Sequence, residues 1–269
     1  MRYAFNLPNF GDFADVRVLA EIAATAEASG WDGCFIWDHL SPVFAPGMLV
    51  PTADATVALT AMALATERIR IGPMVTPPAR RRAQKLAREI ATLDRLSHGR
   101  VVFGVGLGVP AGAEFEAFGE DGDARRRARV LDESLDVITR LWTGEPVDYE
   151  GQRLEVHSAP LIPTPVQRPR VPIWVAATWP GARGPLRRAA RWDGVFPIPE
   201  DPMDTFITTD DVAAVRAAVG RADDDFDVVV NPGPDADPAA FAAAGATWWI
   251  ETYFTRDDAL RRAGAAPSR

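Results

Sequence analysis

Residues 80–108, RRRAQKLAREIATLDRLSHGRVVFGVGLG, predict a helix, a tight turn and a buried strand in direct succession. Leucine and isoleucine recur every three or four residues in the first half, which predicts an apolar helix face made of Leu86, Ile90, Leu93 and Leu96. Gly99 can adopt the left-handed conformation that ends a helix without steric cost. The apolar run 101–105 is typical of a parallel strand that is covered on both faces.

Three glycines, Gly104, Gly106 and Gly108, leave the backbone bare at the carboxyl end of this strand. Backbone amides can approach a bound molecule closely where no Cβ atom intervenes. We therefore expect this end of the strand to form one wall of a ligand site.

The composition of the chain narrows the class of protein. Its 269 residues, 47% of them hydrophobic, favour one large α/β domain over residues 1–269 rather than two small ones. The net charge of −8 argues against nucleic acid as a partner, because phosphate contacts need a basic face. No apolar run approaches the roughly 20 residues that a membrane-spanning helix needs. The first residues lack a signal peptide's apolar core and Cys34 is the only cysteine, so we expect a cytoplasmic protein without internal disulfides.

Strand and helix patterns alternate along the chain. Eight apolar runs are predicted as strands, at residues 3–7, 33–37, 69–74, 101–105, 171–176, 193–196, 226–230 and 247–250. Helical patterns follow these strands at residues 15–29, 53–66, 124–142, 210–220, 238–244 and 256–262. Two further helices are predicted, one in the stretch quoted above and one that begins near residue 185. Residues 147–156, with Gly151 in the middle, interrupt the alternation and predict a small β-hairpin excursion near 147–157.

The alternation predicts a parallel sheet, because each helix must carry the chain back across it. Eight units in about 250 residues match the size of a (β/α)8 TIM barrel. An open, doubly wound sheet is the alternative, but residues 7–11, LPNFG, lack the glycine-rich turn that usually follows its first strand. In a barrel, chemistry lies at the carboxyl ends of the strands. The side chains predicted there are Asn6, Asp38, His39, Met74, Val75, Thr76, Gly106, Gly108, Thr178, Asn231 and Glu251.

Several short motifs together resemble the bacterial luciferase-like superfamily, TIM-barrel oxidoreductases that use FMN or the deazaflavin F420. The resemblance is strongest at ATLDRLSHGR (91–100) and FGVGLG (103–108). Weaker matches, in the family's order over residues 1–197, are ASGWD (28–32), WDH (37–39), PRVPIWV (169–175) and AARWDG (189–194). Family members usually have a longer second half, whereas residues 197–269 leave room for only two more strand–helix units. The resemblance therefore implies a TIM barrel with a trimmed second half.

The resemblance also implies a flavin- or F420-dependent oxidoreductase that acts on a small organic molecule, and the motifs leave FMN and F420 both open. With reduced FMN, such an enzyme activates oxygen as a monooxygenase. With F420, it moves a hydride at the deazaflavin carbon. In either case the protein orients the cofactor and excludes water. Leu107 stands where luciferases proper have an arginine for the flavin phosphate, so luciferase-type aldehyde chemistry is not favoured.

The resemblance assigns catalytic roles to His39 and Asp38. His39 is expected beside the cofactor ring as a proton relay or hydrogen-bond donor, since a histidine exchanges protons near neutral pH. Its strand-exit position favours this role over simple capping of the loop. Asp38 is expected to orient the loop backbone or His39. The Met74-Val75 bond matches the position of a non-prolyl cis peptide under the ring. The residues expected to bind the cofactor are Asn6, Met74, Val75, Thr76, Gly106, Leu107, Gly108, Ala177, Thr178, Gly181, Ala182 and Arg183.

A cofactor phosphate needs backbone amides at a helix start, and positive charge strengthens the contact. Two segments qualify, 106–108 and 178–184, and Arg183 in the second can pair with a phosphate. The arginines at 80–82 oppose the dipole of the helix that they begin. They could meet an anionic cofactor tail, but a solvated face is the simpler interpretation. The same applies to Glu114 and Glu116 in the loop after the fourth strand.

Aromatic residues are candidates for an apolar substrate pocket, and those near the strand ends are Trp37, Phe115, Phe118 and Trp179. Most aromatic side chains in a barrel belong to its core, which is the competing interpretation for each of them. Trp248 and Trp249 are consecutive on the predicted eighth strand, so only one of them can face the barrel interior.

Two other functions stay open. One is a metal-dependent barrel hydrolase that uses Asp38 and His39; we expect no metal, because His98 and His157, the other histidines, are predicted away from the strand ends. The other is a non-catalytic, flavin-binding relative. The expected partners are a small-molecule substrate, a separate flavin or F420 reductase, and a second copy of the chain in a homodimer formed through the outer helices.

Overall fold

Parallel strands alternate with helices around a barrel in the computed structural model, which describes residues 1–42, 49–181, 183–202, 204–221 and 225–267. The strands are β1 (Arg2–Leu7), β2 (Gly33–Ile36), β3 (Arg70–Pro73), β4 (Phe103–Val105), β5 (Val147–Glu150), β6 (Glu155–Ala159), β7 (Ile173–Thr178), β8 (Gly194–Ile198), β9 (Asp227–Val230) and β10 (Trp248–Glu251). The helices are α1 (Val16–Ala28), α2 (Ala55–Ala65), α3 (Ala83–Leu96), α4 (Ala111–Glu114), α5 (Ala124–Leu141), α6 (Arg183–Ala189), α7 (Thr209–Val219), α8 (Pro238–Ala244) and α9 (Arg256–Ala263).

The barrel strands are paired in the order β3-β2-β1-β10-β9-β8-β7-β4. Backbone contacts between β3 and β4 close the ring: the Val102 amide donates to the Ile71 carbonyl (2.9 Å) and the Thr76 amide to the Gly104 carbonyl (2.9 Å). The (β/α)8 barrel is therefore confirmed and the open, doubly wound sheet is excluded. The shorter second half still supplies two strand–helix units after β8. The predicted hairpin is also present, as the antiparallel pair β5–β6.

The interior of the barrel has its own core, separate from the layer between strands and helices. Its members are Ala4, Phe35, Met74, Val102, Trp174, Phe196, Val229, Trp248 and Ile250. Trp248 points inward and packs against Trp174 at 5.2 Å between ring centroids, whereas Trp249 belongs to the outer layer. The prediction that only one of the two faces inward is confirmed.

Helix α3 packs largely as its spacing predicts. Leu86, Ile90 and Leu93 are buried, but Leu96 is 38% exposed, so its assignment to the apolar face was wrong. Leu96 is the last residue of the helix, and the final turn instead buries the carboxylate of Asp94. Asp94 accepts hydrogen bonds from the amides of Val166 (2.7 Å) and Gln167 (3.1 Å), and so fixes the proline-rich segment before β7.

The turn after α3 contains another buried charge. Gly99 has a φ of 82°, as its left-handed assignment predicts. The Arg100 guanidinium that follows donates to a set of backbone carbonyls at the amino end of the barrel, those of Ala63, Thr66, Ile69 and Ser97, at 2.7–3.1 Å. The motif that most resembles the family therefore stabilises the fold at the end opposite the strand exits.

Helix α6 begins at Arg183, two residues before the predicted start at Pro185. Among the helices of the described residues, none is long and apolar enough to span a membrane.

Candidate functional site

A buried network of charges lies at the carboxyl ends of β2, β3 and β4. Asp38, after β2, accepts hydrogen bonds from Arg80 (2.8 Å), from Arg81 (2.9 Å) and from the Thr76 hydroxyl (2.8 Å). A short 3₁₀ turn, Pro78–Arg80, directs the two arginines towards this carboxylate. The expectation that Arg80 and Arg81 are solvated or meet a cofactor tail is wrong, because both are paired inside the protein, Arg80 with Asp38 and Glu114 and Arg81 with Asp38 and Glu89. Arg82, at the N-cap of α3, is exposed.

Glu114 extends the network to His39. It is the last residue of α4, is 1% exposed, and accepts hydrogen bonds from Arg80, from the Leu40 amide (3.0 Å) and from His39 Nδ1 (2.9 Å). The simpler interpretation of this residue as a solvated loop acid was wrong. These donors replace the water that a buried carboxylate loses.

The ionisation of Glu114 determines which ring nitrogen of His39 carries the hydrogen of their contact. Burial acts to raise the pKa of Glu114, but the hydrogen bond from His39, the Leu40 amide and the charge of Arg80 together lower it below its ordinary value. The carboxylate has no proton to donate at neutral pH, so Nδ1 of His39 must carry the hydrogen of the contact. Nε2 is therefore the basic nitrogen of the neutral ring.

Asn9 fixes the backbone on the other side of His39. Its amide nitrogen donates to the carbonyls of His39 (2.8 Å) and Ala53 (2.7 Å), and its oxygen accepts from the His39 amide (3.1 Å). Sequence reasoning treated residues 8–12 only as a loop, and the signal that was available is a single asparagine directly after the exit of β1. The contacts show that His39 is held from both the β1 and β4 sides.

Among the residues predicted to bind the cofactor, Asn6 has the geometry that most clearly faces a ligand. It shares the inward face of β1 with Ala4, at the carboxyl end of the strand, and it is 2% exposed. Its side-chain oxygen is buried and has no hydrogen-bond partner among the described residues. A buried acceptor of this kind is rare without a bound donor.

The Met74-Val75 bond is cis, as predicted. It lies beside the glycine-rich end of β4, where an added Cβ at Gly104 would lie 2.3 Å from the Pro73 carbonyl oxygen and one at Gly106 would lie 2.6 Å from a methyl group of Val75. The space that glycine leaves at these two positions is therefore filled by the segment after β3. Close packing of β4, rather than bare backbone for a ligand, is what these glycines permit.

Gly108 and Leu107 are fixed from outside the barrel. Gly108 has a φ of 80°, and an added Cβ would lie 2.9 Å from the ring of Phe115. Arg127 donates to the carbonyls of both residues (2.7 Å each), and its guanidinium lies 4.4 Å from the Phe115 ring centroid. Phe115 is therefore buried beneath this loop, and its proposed place in a substrate pocket was wrong.

The predicted residues of the β7 exit are dispersed. Ala177 packs in the outer core, opposite to the inward direction of Trp174, so its side chain does not reach the barrel mouth. Thr178, Gly181 and Arg183 are exposed around the start of α6, and Ala182 lies outside the described residues. Trp179 donates to Asp211 on α7 (2.8 Å), which fixes its indole against the helix layer rather than in a pocket.

Nothing in the described part of the chain groups three histidine, cysteine, aspartate or glutamate side chains as metal ligands. Both oxygens of Asp38 instead face arginines, which oppose a bound cation. This arrangement disfavours the metal-dependent hydrolase.

A closed eight-stranded parallel barrel, with a histidine–carboxylate pair and an unpartnered inward asparagine at its strand exits, defines a TIM-barrel enzyme. The model of the luciferase-like monooxygenase family matches residues 5–265, and the chain belongs to that family.

Curated relatives narrow the comparison. An F420-dependent glucose-6-phosphate dehydrogenase from Microbacterium testaceum is 36% identical over 61% of this chain and 48% of its own length. The enzyme of the same name from Nakamurella multipartita is 32% identical over 79% of this chain and 62% of its own, and that from Nocardia farcinica 31% over 90% and 71%. The chain thus spans between 48% and 71% of the length of these three relatives.

Solved structures share the fold at lower identity. The F420-dependent tetrahydromethanopterin reductase of Methanopyrus kandleri superposes with a TM-score of 0.76 and 18% identity, over 98% of this chain and 97% of its own. The monooxygenase RslO1 of Streptomyces bottropensis superposes with a TM-score of 0.73 and 20% identity, over 98% and 96%. Both likenesses show the barrel architecture alone.

Proposed function

We propose that this chain is an F420-dependent oxidoreductase that transfers a hydride between the deazaflavin and a small organic alcohol or carbonyl compound. The observation that carries the proposal is the contact between His39 and the buried, ionised Glu114 at the strand exits. F420 is favoured over FMN because three relatives with at least 30% identity over seven-tenths of their length are named F420-dependent glucose-6-phosphate dehydrogenases.

Alcohol oxidation removes a hydride from carbon and a proton from oxygen, and a carbonyl group forms. When bound, F420 supplies the hydride acceptor, or the donor in the reverse direction. His39 accepts the hydroxyl proton at Nε2, because Nδ1 already carries a proton towards Glu114. The carboxylate then stabilises the imidazolium, and the same proton returns to oxygen when the reaction runs towards the alcohol.

The residues present fit such a cofactor. The unpartnered oxygen of Asn6 would accept from the ring N–H of the deazaflavin, which removes the cost of leaving it unsatisfied. Arg183 and the exposed backbone at Thr178 and Gly181 would hold the phosphate group. A separate F420 reductase and a homodimer belong to the same proposal.

Titration of the purified protein with F420, FMN and reduced FMN tests the proposal. We expect F420 to bind with a Kd below about 100 µM and more tightly than either form of FMN. Preferential binding of FMN would contradict the dehydrogenase function and favour an oxygen-activating enzyme. Failure of all three to bind would reject the proposed function.

Replacement of Asn6 gives a second readout that does not depend on turnover. Asn6→Leu removes the inward acceptor while keeping a similar volume, so we expect weaker F420 binding and an intact fold. Asn231→Leu, at the exit of β9, is the matched control, because Asn231 already contacts Thr252 (3.3 Å).

A further inference from the structure

The side of the barrel mouth nearest His39 is lined by aromatic rings. We name Phe10, Trp37 and Phe254 the aromatic wall; they follow β1, β2 and β10, which are neighbours in the barrel. The centroid of Trp37 lies 5.8 Å from that of Phe10, 5.8 Å from that of Phe254 and 5.7 Å from that of His39. Phe10 also lies 5.7 Å from His39. The proton-accepting ring is therefore part of one continuous aromatic cluster.

The aromatic wall retains apolar surface that the protein does not cover. Phe254 is 48% exposed, and Phe10 and Trp37 are partly buried. Trp37 shares the inward direction of Phe35 on β2, so it faces the mouth rather than the helix layer. Exposed aromatic surface beside a reactive group favours the binding of an apolar ligand, because burial against the ligand removes that surface from water.

The charges around the aromatic wall disfavour an anionic substrate. In the described parts of the loops that follow β1, β2 and β10, the acidic side chains are Asp12, Asp15, Asp38 and Asp54. The described residues of these loops include no arginine or lysine, and Arg256, the first residue of α9, is paired with Glu21 at 3.0 Å. Arg183, to which we assign the cofactor phosphate, follows β7, on the opposite side of the barrel from β1. Arg80 and Arg81, which belong to the charge network that contains His39, are already held by Asp38 and Glu114, so a phosphate group near His39 would have to compete with these carboxylates for a cation.

We propose that the substrate is an uncharged alcohol or carbonyl compound with an aromatic or alicyclic group beside the reacting carbon, and that Phe254 and Trp37 decide this preference. The inference rests on the proposed function and deepens it, because it separates this chain from the sugar-phosphate substrate in its relatives' names. The reacting carbon loses or gains the hydride, and the oxygen exchanges its proton with His39.

The test measures binding before turnover. The full chain, with and without F420, is titrated with 1-phenylethanol, cyclohexanol, glucose and glucose 6-phosphate, and binding is followed by saturation-transfer NMR of the probe protons. We expect 1-phenylethanol and cyclohexanol to bind about tenfold or more tightly than glucose 6-phosphate. Reduction of F420 by the same four compounds, followed by loss of its absorbance, is then expected to rank them in the same order.

Two variants separate substrate specificity from cofactor binding. Phe254→Ala removes the most exposed ring of the aromatic wall, and we expect the Kd for 1-phenylethanol to rise about fivefold with F420 binding unchanged. Phe118→Ala is the control, because Phe118, a pocket candidate from the sequence, is 55% exposed in the loop after β4 and takes no part in the ring contacts of the aromatic wall given above. It is expected to leave both affinities unchanged.

Glucose 6-phosphate binding as tight as that of the apolar alcohols would overturn the substrate class while leaving the proposed function intact. The substrate class is equally overturned if no probe binds with or without F420. If the apolar alcohols bind in the expected order but F420 does not bind, the aromatic preference stands and the proposed function fails. Equal effects of Phe254→Ala and Phe118→Ala would remove Phe254 from the proposal.

Discussion

Arg80 and Arg100 are both buried arginines, but they lie at opposite ends of the barrel and have different partners. Arg80 pairs with the carboxylates of Asp38 and Glu114 at the strand exits. Arg100 donates to the Thr66 hydroxyl and to backbone carbonyls at the amino end, and among the residues that the structure describes no carboxylate forms an ion pair with it. The first arginine therefore organises charged side chains, whereas the second organises the backbone.

The pKa values of Arg81, which is next to Arg80, and of Arg100 show the same difference between the two ends of the barrel. Burial acts to lower the pKa of Arg81, but the charge of Asp38 and its hydrogen bond raise it above the ordinary value. Burial lowers the pKa of Arg100, and the carboxylates of Glu27 and Glu67 offset this only in part. Replacement of a charged residue at the strand exits should therefore change proton transfer and catalysis, whereas replacement of one at the amino end should change stability alone.

The histidines give the largest expected contrast between the two ends. His39→Ala removes the proton acceptor, and we expect kcat of F420-dependent turnover to fall about 10²–10⁴-fold with F420 binding retained. His98→Ala is the matched control, because His98 is exposed in the turn after α3. Steady-state kinetics of both variants, with thermal unfolding to check the fold, make the comparison. Similar kcat losses in the two variants would contradict the assignment of the active end.

Arg80→Met should be the most destabilising change at the strand exits. It leaves the carboxylates of Asp38 and Glu114 buried without a shared cation, which costs about 3–5 kcal/mol in the free energy of unfolding. Urea denaturation measures this loss. The double variant Arg80→Met/Glu114→Leu should recover part of the stability but none of the kcat, because His39 loses its partner. Additive stability losses in the double variant would show that the two charges are not coupled.

Arg100→Met tests the other end. The carbonyls of Ala63, Thr66 and Ile69 lose a buried donor, so we expect a loss of about 2–3 kcal/mol in the free energy of unfolding. We expect kcat and KM to stay within about twofold of the parent, because Arg100 lies at the end away from the strand exits. A large change in kcat at full folding would mean that the amino end also controls the chemistry.

The two ends also differ in how far the sequence predicts them. Asp94, Gly99 and Arg100 lie in one helix end and its turn, so their spacing is fixed and the local pattern is recognisable, although the partners of Asp94 and Arg100 are distant in the chain. His39 and Glu114 are 75 residues apart in the chain and meet only because loops after β2 and β4 converge. No periodicity links them, and an acid in a loop is usually solvated.

Alternation within strands was the other reliable signal. It correctly predicted that only one of Trp248 and Trp249 faces the barrel interior, because side chains of a strand point to opposite faces in turn; the structure shows that this residue is Trp248. It does not state which residues of an irregular loop are buried, which is why Phe115 and Trp179 were misassigned to a pocket. Their burial depends on Arg127 and Asp211, two partners from distant helices.

The smallest expected effect concerns Asp227, at the amino end of β9. Its carboxylate accepts from the Thr247 hydroxyl (2.8 Å) and from the Trp174 indole (3.2 Å), and Arg2 lies 3.9 Å away. Burial raises the pKa of Asp227 above its ordinary value of 3.8, and these groups offset this only in part. The folded state therefore binds this proton more tightly than the unfolded chain does.

A raised pKa in the folded state gives stability that is complete below pH 3.8 and declines as the pH rises through the folded value. Asp227→Asn removes this titration while keeping an acceptor for the indole. We expect the variant to be more stable than the parent at pH 7, by about 1 kcal/mol or roughly 2–4 °C in Tm. The gain should shrink as the pH falls towards 3.8, and kcat should not change. A variant less stable than the parent at pH 7 would show that the charge of Asp227 stabilises this end of the barrel, as charges do at the strand exits.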